Sequence, residues 1–200
     1  MLTKIVKTGG LATTKQETDG WVCGDWMQTY SGGRFYPCDP RAEDINPLDI
    51  AHALSLLCRY GGHVDRFYSV AEHCVLMSEA VSPENALVAL LHDATEAYVV
   101  DVPRPLKMEL PDYRAIEANV WLAIAERFGV DPEHNPDVKE ADNRILLTER
   151  DALMSKATRP WYQDSRFTPL PVHIEGWTPL QAESNYTYRL MKLWNFGAMK

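Results

Sequence analysis

Residues 86–101 read ALVALLHDATEAYVVD. The run from Ala86 to Leu91 is apolar on every side, and Ala94 extends it past two polar residues. A helix that is hydrophobic all round belongs in a core, so the segment is read as a central, buried helix. His92 and Asp93 interrupt it. A buried charge persists only when it is paired or bound to a metal. The two residues are therefore either a hydrogen-bonded structural pair or a pair of ligands. Glu96 lies four residues after His92 and three after Asp93. Helical spacing puts all three on one face. Packing alone is a poor explanation for an imidazole and two carboxylates on a buried face.

Outward from this helix the signals are mostly helical. Ser82-Pro83-Glu84 opens it. Ser69 to Glu72 matches a capping box for a helix before it. Asn46-Pro47 caps an earlier one, predicted to reach about Tyr60 before Gly61-Gly62. Pro103 and Pro105 are expected to forbid helix. Further helices are predicted over Asp112–Phe128 with Gly129 as stop, over Pro136 to about Lys156, and from a Thr178 cap to about Phe196. The stretch RPWYQDSRFTPLPVHIEGW, 159–177, is too long and Pro-rich for a tight turn, and reads as a binding lid or a packed surface loop. Near the start, DWMQTYSGGRFYPCDP, 25–40, reads as a β-hairpin around Ser31-Gly32-Gly33. Residues 1 to 20 read as a loose arm. The expected architecture is all-α, with an arm and hairpin over 1–44 and one helical domain over 45–200.

Composition narrows the function. The 200 residues are 46% hydrophobic and 24% charged, with net charge −8, which suits a soluble globular chain without a basic face for duplex nucleic acid. Cys23, Cys38, Cys58 and Cys74 form no CxxC pair, and no disulfide framework is expected. The start MLTKIVKTGG has no apolar signal region, and no run of eighteen apolar residues occurs. A cytoplasmic protein that does not enter the membrane is expected.

Two more ligand candidates stand apart from the central helix. His73, in SVAEHC, borders the apolar stripe Val70, Cys74, Met77 and Val81, where a half-buried structural histidine is the plainer reading. Asp142 lies among Val138, Ile145 and Leu146. An ion pair with Lys139 or Arg144 would account for it equally well.

Together His73, His92-Asp93 and Asp142 resemble the H…HD…D pattern of HD-domain metal-dependent phosphohydrolases, with 19 residues from His73 to His92 and 49 from Asp93 to Asp142. SVAEHC followed by LLHDATEAYVVDVPRPLK is similar to HD-domain 5′-deoxynucleotidases and phage-type deoxynucleoside triphosphatases, across roughly residues 45 to 155. Cys74 stands where those families carry Ser. The resemblance implies an HD helical bundle holding one divalent cation (Zn, Co, Mn, Fe or Mg) through His73, His92, Asp93 and Asp142. It implies Glu96 as general acid/base, Asp101 on the deoxyribose and an arginine, aligned approximately with Arg59, on phosphate. It also implies a homo-oligomer, which an exposed aromatic C-terminal helix (Tyr186, Tyr188, Trp194, Phe196) would permit.

The expected substrate is a small deoxynucleotide, with dATP cleaved to deoxynucleoside and triphosphate; the alternative is a nucleotidase acting on deoxynucleoside monophosphates. Further phosphate contacts are expected from His63, Arg66, Arg104 and Lys107, each of which reads equally as a solvated surface residue. Asp101 reads equally as a turn residue. Trp26, Tyr30 and Tyr98 either stack a base or pack. A nucleotide-sensing scaffold without turnover is the reading from another class. A cyclic-dinucleotide phosphodiesterase would need further ligands, and His52, His63, His134 and His173 form no second metal motif.

Overall fold

A computed structural model describes residues 14–17, 20–133 and 135–194. Most of the expected arm, His134 and Phe196 lie outside these residues. The described chain is mostly helical, with eight α-helices and two small antiparallel β-hairpins. No helix among the described residues is long and apolar enough to cross a membrane. The chain groups into two compact units that divide within the first helix, between Asp93 and Ala94, and between Pro132 and Glu133.

The first unit runs through the described residues up to Ile50 and resumes at Ala94–Pro132. Strands β1 (Thr14–Glu17) and β2 (Gly20–Cys23) pair with Thr14 opposite Cys23, so the end of the expected loose arm over 1 to 20 is instead part of a hairpin that reaches Cys23. Strands β3 (Met27–Gln28) and β4 (Arg34–Phe35) form the hairpin expected around Ser31-Gly32-Gly33. Helix α1 (Pro47–Leu56) starts as predicted, with Asn46 Oδ1 accepting from Leu48 N at 3.0 Å. Its Asp49 accepts from Ser31 N and Oγ, which ties the hairpin to the first turn. The helix ends earlier than Tyr60, since Arg59–Gly62 forms a separate 3-10 turn in the second unit.

Two sequence expectations change beyond Asp93. The helix predicted to run through His92 and Glu96 is broken into α3 (Ala86–Leu91), in the second unit, and α4 (Glu96–Val99). Ala97 N and Tyr98 N bond to carbonyls only three residues back, so the chain tightens before α4. Pro105 does not forbid helix: it sits in the first turn of α5 (Arg104–Lys107), where a missing N–H costs nothing. Helix α6 (Pro111–Phe128) ends as expected, with Gly129 at φ 68°. Four of its five buried residues, Val120, Ala123, Ile124 and Phe128, follow a helical stripe, with Ala125 beside it. Tyr98 stacks on Phe35 at 4.1 Å between ring centroids and is a core residue.

The second unit is built from α2 (Val70–Ala80), α3, α7 (Pro136–Leu153) and α8 (Pro179–Leu193), with α2 packed against the other three. Met77, Ala89, Val138, Ala141, Ile145 and Leu170 form one apolar cluster; Tyr68, Leu153 and Ile174 form another. Leu170 and Ile174 show that the latter part of the 159–177 connection is packed surface loop. Thr148 Oγ1 donates to Leu170 O and Arg144 Nε to Thr168 O, which fasten it along α7. Thr178 and Gln181 cap α8 reciprocally, as expected. Tyr186, expected on an exposed aromatic face, is instead fully buried and donates to Leu90 O; Tyr188 is exposed.

Candidate metal centre

An antiparallel bridge between Cys58 and Ser69 builds the base of the site. Arg59 N donates to Tyr68 O and Val70 N to Leu57 O, so Arg59 is laid beside the start of α2. Ser69 Oγ accepts from Glu72 N and sets the helix phase that turns His73 inward. His73 is fully buried. His92 and Asp93 follow the last residue of α3, and Asp142 lies on α7.

Three of the four expected ligands converge. His73 Nε2 is 3.1 Å from His92 Nε2, and Asp93 Oδ2 is 3.3 Å from His92 Nε2 and 3.5 Å from His73 Nε2. Two donors about 2.1 Å from a common ion are separated by about 3.0 Å at right angles and about 3.4 Å at the tetrahedral angle. The observed triangle has those dimensions. Asp142 Oδ1 stands further off, 3.9 Å from His73 Nε2, while its Oδ2 holds Lys139 at 2.9 Å. It thus makes the ion pair of the alternative reading and still borders the cluster.

The tautomers strengthen the case. His92 Nδ1 is 2.8 Å from Ala89 O, which can only accept, so that nitrogen carries the proton. His73 Nδ1 is 2.6 Å from Glu149 Oε1. Burial opposes the charge on Glu149, but Arg59 and then His73 hold its pKa down to about 2, so it is a carboxylate and accepts from His73. With a proton on each Nδ1, each ring in its neutral form presents an Nε2 lone pair, and the two Nε2 atoms lie 3.1 Å apart beside the Asp93 carboxylate. Such an arrangement repels itself unless a cation or a proton lies among the three. Burial opposes the charge on His92, yet Asp93 outweighs it and raises its pKa well above the imidazole norm. Burial likewise opposes ionisation of Asp93, and His92, His73 and Arg59 overcome it and hold its pKa well below the carboxylate norm. The cluster favours positive charge at its centre. His73, His92 and Asp93 form a group that could hold a metal ion.

Glu149 is the site residue that sequence reading missed. Fully buried on α7, it accepts from His73 Nδ1, from Tyr68 Oη at 2.8 Å and from Tyr60 Oη, and pairs with Arg59 at 3.2 Å. A carboxylate behind a ligand histidine fixes its tautomer and raises its basicity. The available signal was spacing, since Glu149 lies seven residues, two turns, after Asp142.

The predicted phosphate contacts are placed unevenly. Arg59 is buried, its guanidinium bridging Asp93 at 3.1 Å and Glu149. Arg66 is turned to backbone, with Ala152 O and Ile174 O each at 3.4 Å. His63 is exposed. In the first unit, Glu96 is buried at the start of α4, Asp101 is half-buried, Arg104 is exposed and Lys107 pairs with Glu117 at 2.7 Å. Trp26 and Tyr30 are exposed.

No family model matches the chain. Over 125 residues, 62% of this chain and 70% of the relative, it is 47% identical to the uncharacterized protein YfdR of Escherichia coli strain K12. The chain belongs to the YfdR family. A second uncharacterized relative, from Rhodobacter capsulatus, is 36% identical over 115 residues, which are 52% of this chain and 59% of that protein. For this YfdR-family chain, the donor set itself limits the chemistry. Two imidazoles and carboxylate oxygen suit a first-row divalent ion or magnesium rather than a thiolate-seeking one.

Proposed function

We propose that this YfdR-family chain is an HD-domain, divalent-metal-dependent phosphohydrolase of small deoxynucleotides, acting on dATP to give deoxynucleoside and triphosphate. The observation that carries the reading is the convergence of His73 Nε2, His92 Nε2 and Asp93 Oδ2, with both Nδ1 atoms tied elsewhere. In this reading those three residues hold the cation, Asp142 completes the set, and Glu149 keeps His73 oriented. The bound cation supplies a Lewis acid that offsets phosphoryl charge and acidifies water. Arg59 holds Asp93 in place, Glu96 moves the proton, and Asp101 accepts from the sugar 3′-hydroxyl. The protein works as a homo-oligomer in the cytoplasm.

One observation favours a second reading, hydrolysis of deoxynucleoside monophosphates. Arg66, expected to help hold a longer phosphate chain, is engaged with the backbone at Ala152 and Ile174. Incubating the metal-loaded protein with deoxynucleoside mono- and triphosphates and separating the products discriminates the two. Triphosphate released from dATP supports the first; phosphate released from monophosphates, with dATP untouched, selects the second; no hydrolysis of either rejects both. Asp93→Ala should lose metal and activity together, as read by elemental analysis beside the assay. Glu96→Ala should keep metal and bind nucleotide but turn over about 10²-fold more slowly.

A further inference from the structure

At the C-terminal end of α7 the chain turns into the 154–164 segment and leaves a surface cleft of about 540 Å³. Its charged lining consists of Arg150, Asp151, Lys156, Arg159 and Asp164. Both carboxylates are already taken, since Arg150 bonds Asp151 and Asp164. The Arg150 guanidinium also lies over the Trp161 ring, 5.4 Å from its centroid. One guanidinium therefore engages both carboxylates of the cleft and is itself held in place, and with Lys156 and Arg159 the lining has three cations against two carboxylates, a net charge of +1. Lys156 and Arg159 face the same space, exposed, and neither has an ion-pair partner among the described residues. A net positive lining beside the Ser155 hydroxyl is a local exception in a chain of net charge −8.

The helix end at this point would ordinarily repel an anion through its free carbonyls. Here three of the last four carbonyls are occupied: Ala152 O accepts from Arg66, Leu153 O from Asp65 N and Arg150 O from Met154 N. That opposing charge is blunted. A second cleft of about 500 Å³ adjoins the first at Asp164; its Arg144 and Arg166 are matched by Glu140 and Asp164, so it adds donors to a longer ligand but no net positive charge. We infer that the 154–168 segment carries a binding site for phosphate-bearing anions, anchored by Lys156, Arg159 and Ser155 and separate from the His73–His92–Asp93 cluster. A planar guanidinium takes phosphate oxygens in pairs, a lysine adds a point charge, and a hydroxyl completes the set. The cleft has the volume of an ordinary small-molecule site.

The site stands whether or not the metal cluster turns over a substrate, and its test leaves the cluster out. The full chain is titrated calorimetrically with inorganic triphosphate in the presence of a metal chelator. One saturable binding event is expected, weakening steeply with salt. The double substitution Lys156→Ala/Arg159→Ala should weaken it about ten-fold or more. Both side chains are exposed, so the variant should keep the wild-type circular dichroism spectrum and melting temperature. Failure of the wild-type chain to bind triphosphate at millimolar concentration overturns the inference. So does binding of unchanged affinity in the double variant.

Discussion

Glu72 and Glu149 are both fully buried carboxylates in the second unit, yet they are held in opposite ways. Glu149 is surrounded by side chains, among them the Arg59 cation and the His73 imidazole, and its pKa falls to about 2. Glu72 is met by peptide. Its oxygens accept from Glu175 N, Gly176 N and Trp177 N at 3.1, 2.9 and 2.6 Å, three consecutive amides of the returning loop. Burial still raises its pKa, because it outweighs those three bonds. Giving both oxygens hydrogen bonds is thus different from compensating a charge. The first arrangement builds a site; the second latches a loop.

Glu149→Ala should show the largest effect. It strands Arg59 and leaves His73 without its orienting partner. We expect a stability loss of about 3–5 kcal/mol in chemical denaturation. In the folded fraction, metal affinity should weaken by about 10- to 100-fold. A variant as stable as the wild type would mean that the buried network contributes nothing net.

Acid titration comes next. Glu149's folded pKa, about 2, lies below the ordinary 4.5, so the unfolded chain takes up its proton first. Its contribution is present above pH 4.5 and is lost as pH falls through about 2. The shift is worth about 3 kcal/mol. Denaturation midpoints measured across that range should fall in the wild type and more shallowly in Glu149→Gln. Parallel curves would remove Glu149 as the source.

Glu72→Gln should be milder. One amide oxygen can still accept, but the Trp177 N–H loses its carboxylate oxygen, at a cost of about 1–2 kcal/mol. The pH dependence has the opposite sign. A raised folded pKa favours the native state at low pH, and that contribution disappears as pH rises through it. The substitution should therefore remove a small loss of stability with rising pH. Limited proteolysis should also find the 154–178 segment more readily in this variant. Equal cleavage of variant and wild type would show that the latch is not needed.

Much of the helical layout was legible from the chain, because helix ends are local chemistry. Asn46, Thr178 and Gly129 mark termini that the structure repeats. Ser69 does so as well, although only half of its capping box forms: Glu72 reaches the loop at 175–177 instead of back to Ser69. The two histidines and Asp93 stood out because they interrupt or border apolar runs. Glu149 did not, since in LLTERD it looks like any glutamate on a helix surface. Only the arrival of Arg59, Tyr60, Tyr68 and His73 from elsewhere in the chain buries it. The break between α3 and α4 was hidden too, because Ala94 and Thr95 carry no breaker signal and the chain there only tightens.

Tyr60, beside Arg59, holds φ 57°, a left-handed backbone unusual for a residue with a side chain. Its hydroxyl reaches Glu149 across 89 residues of sequence, while Tyr68 and His73 reach it across 81 and 76. Closing such loops costs entropy before any contact repays it, so a cluster of this kind joins late on the folding path. Late contacts are absent from the transition state, and their loss speeds unfolding while leaving refolding nearly unchanged. The residues around His73 then act as a clasp. Substitutions there are expected to shorten the lifetime of the folded molecule while changing its refolding rate little, as stopped-flow unfolding and refolding would show.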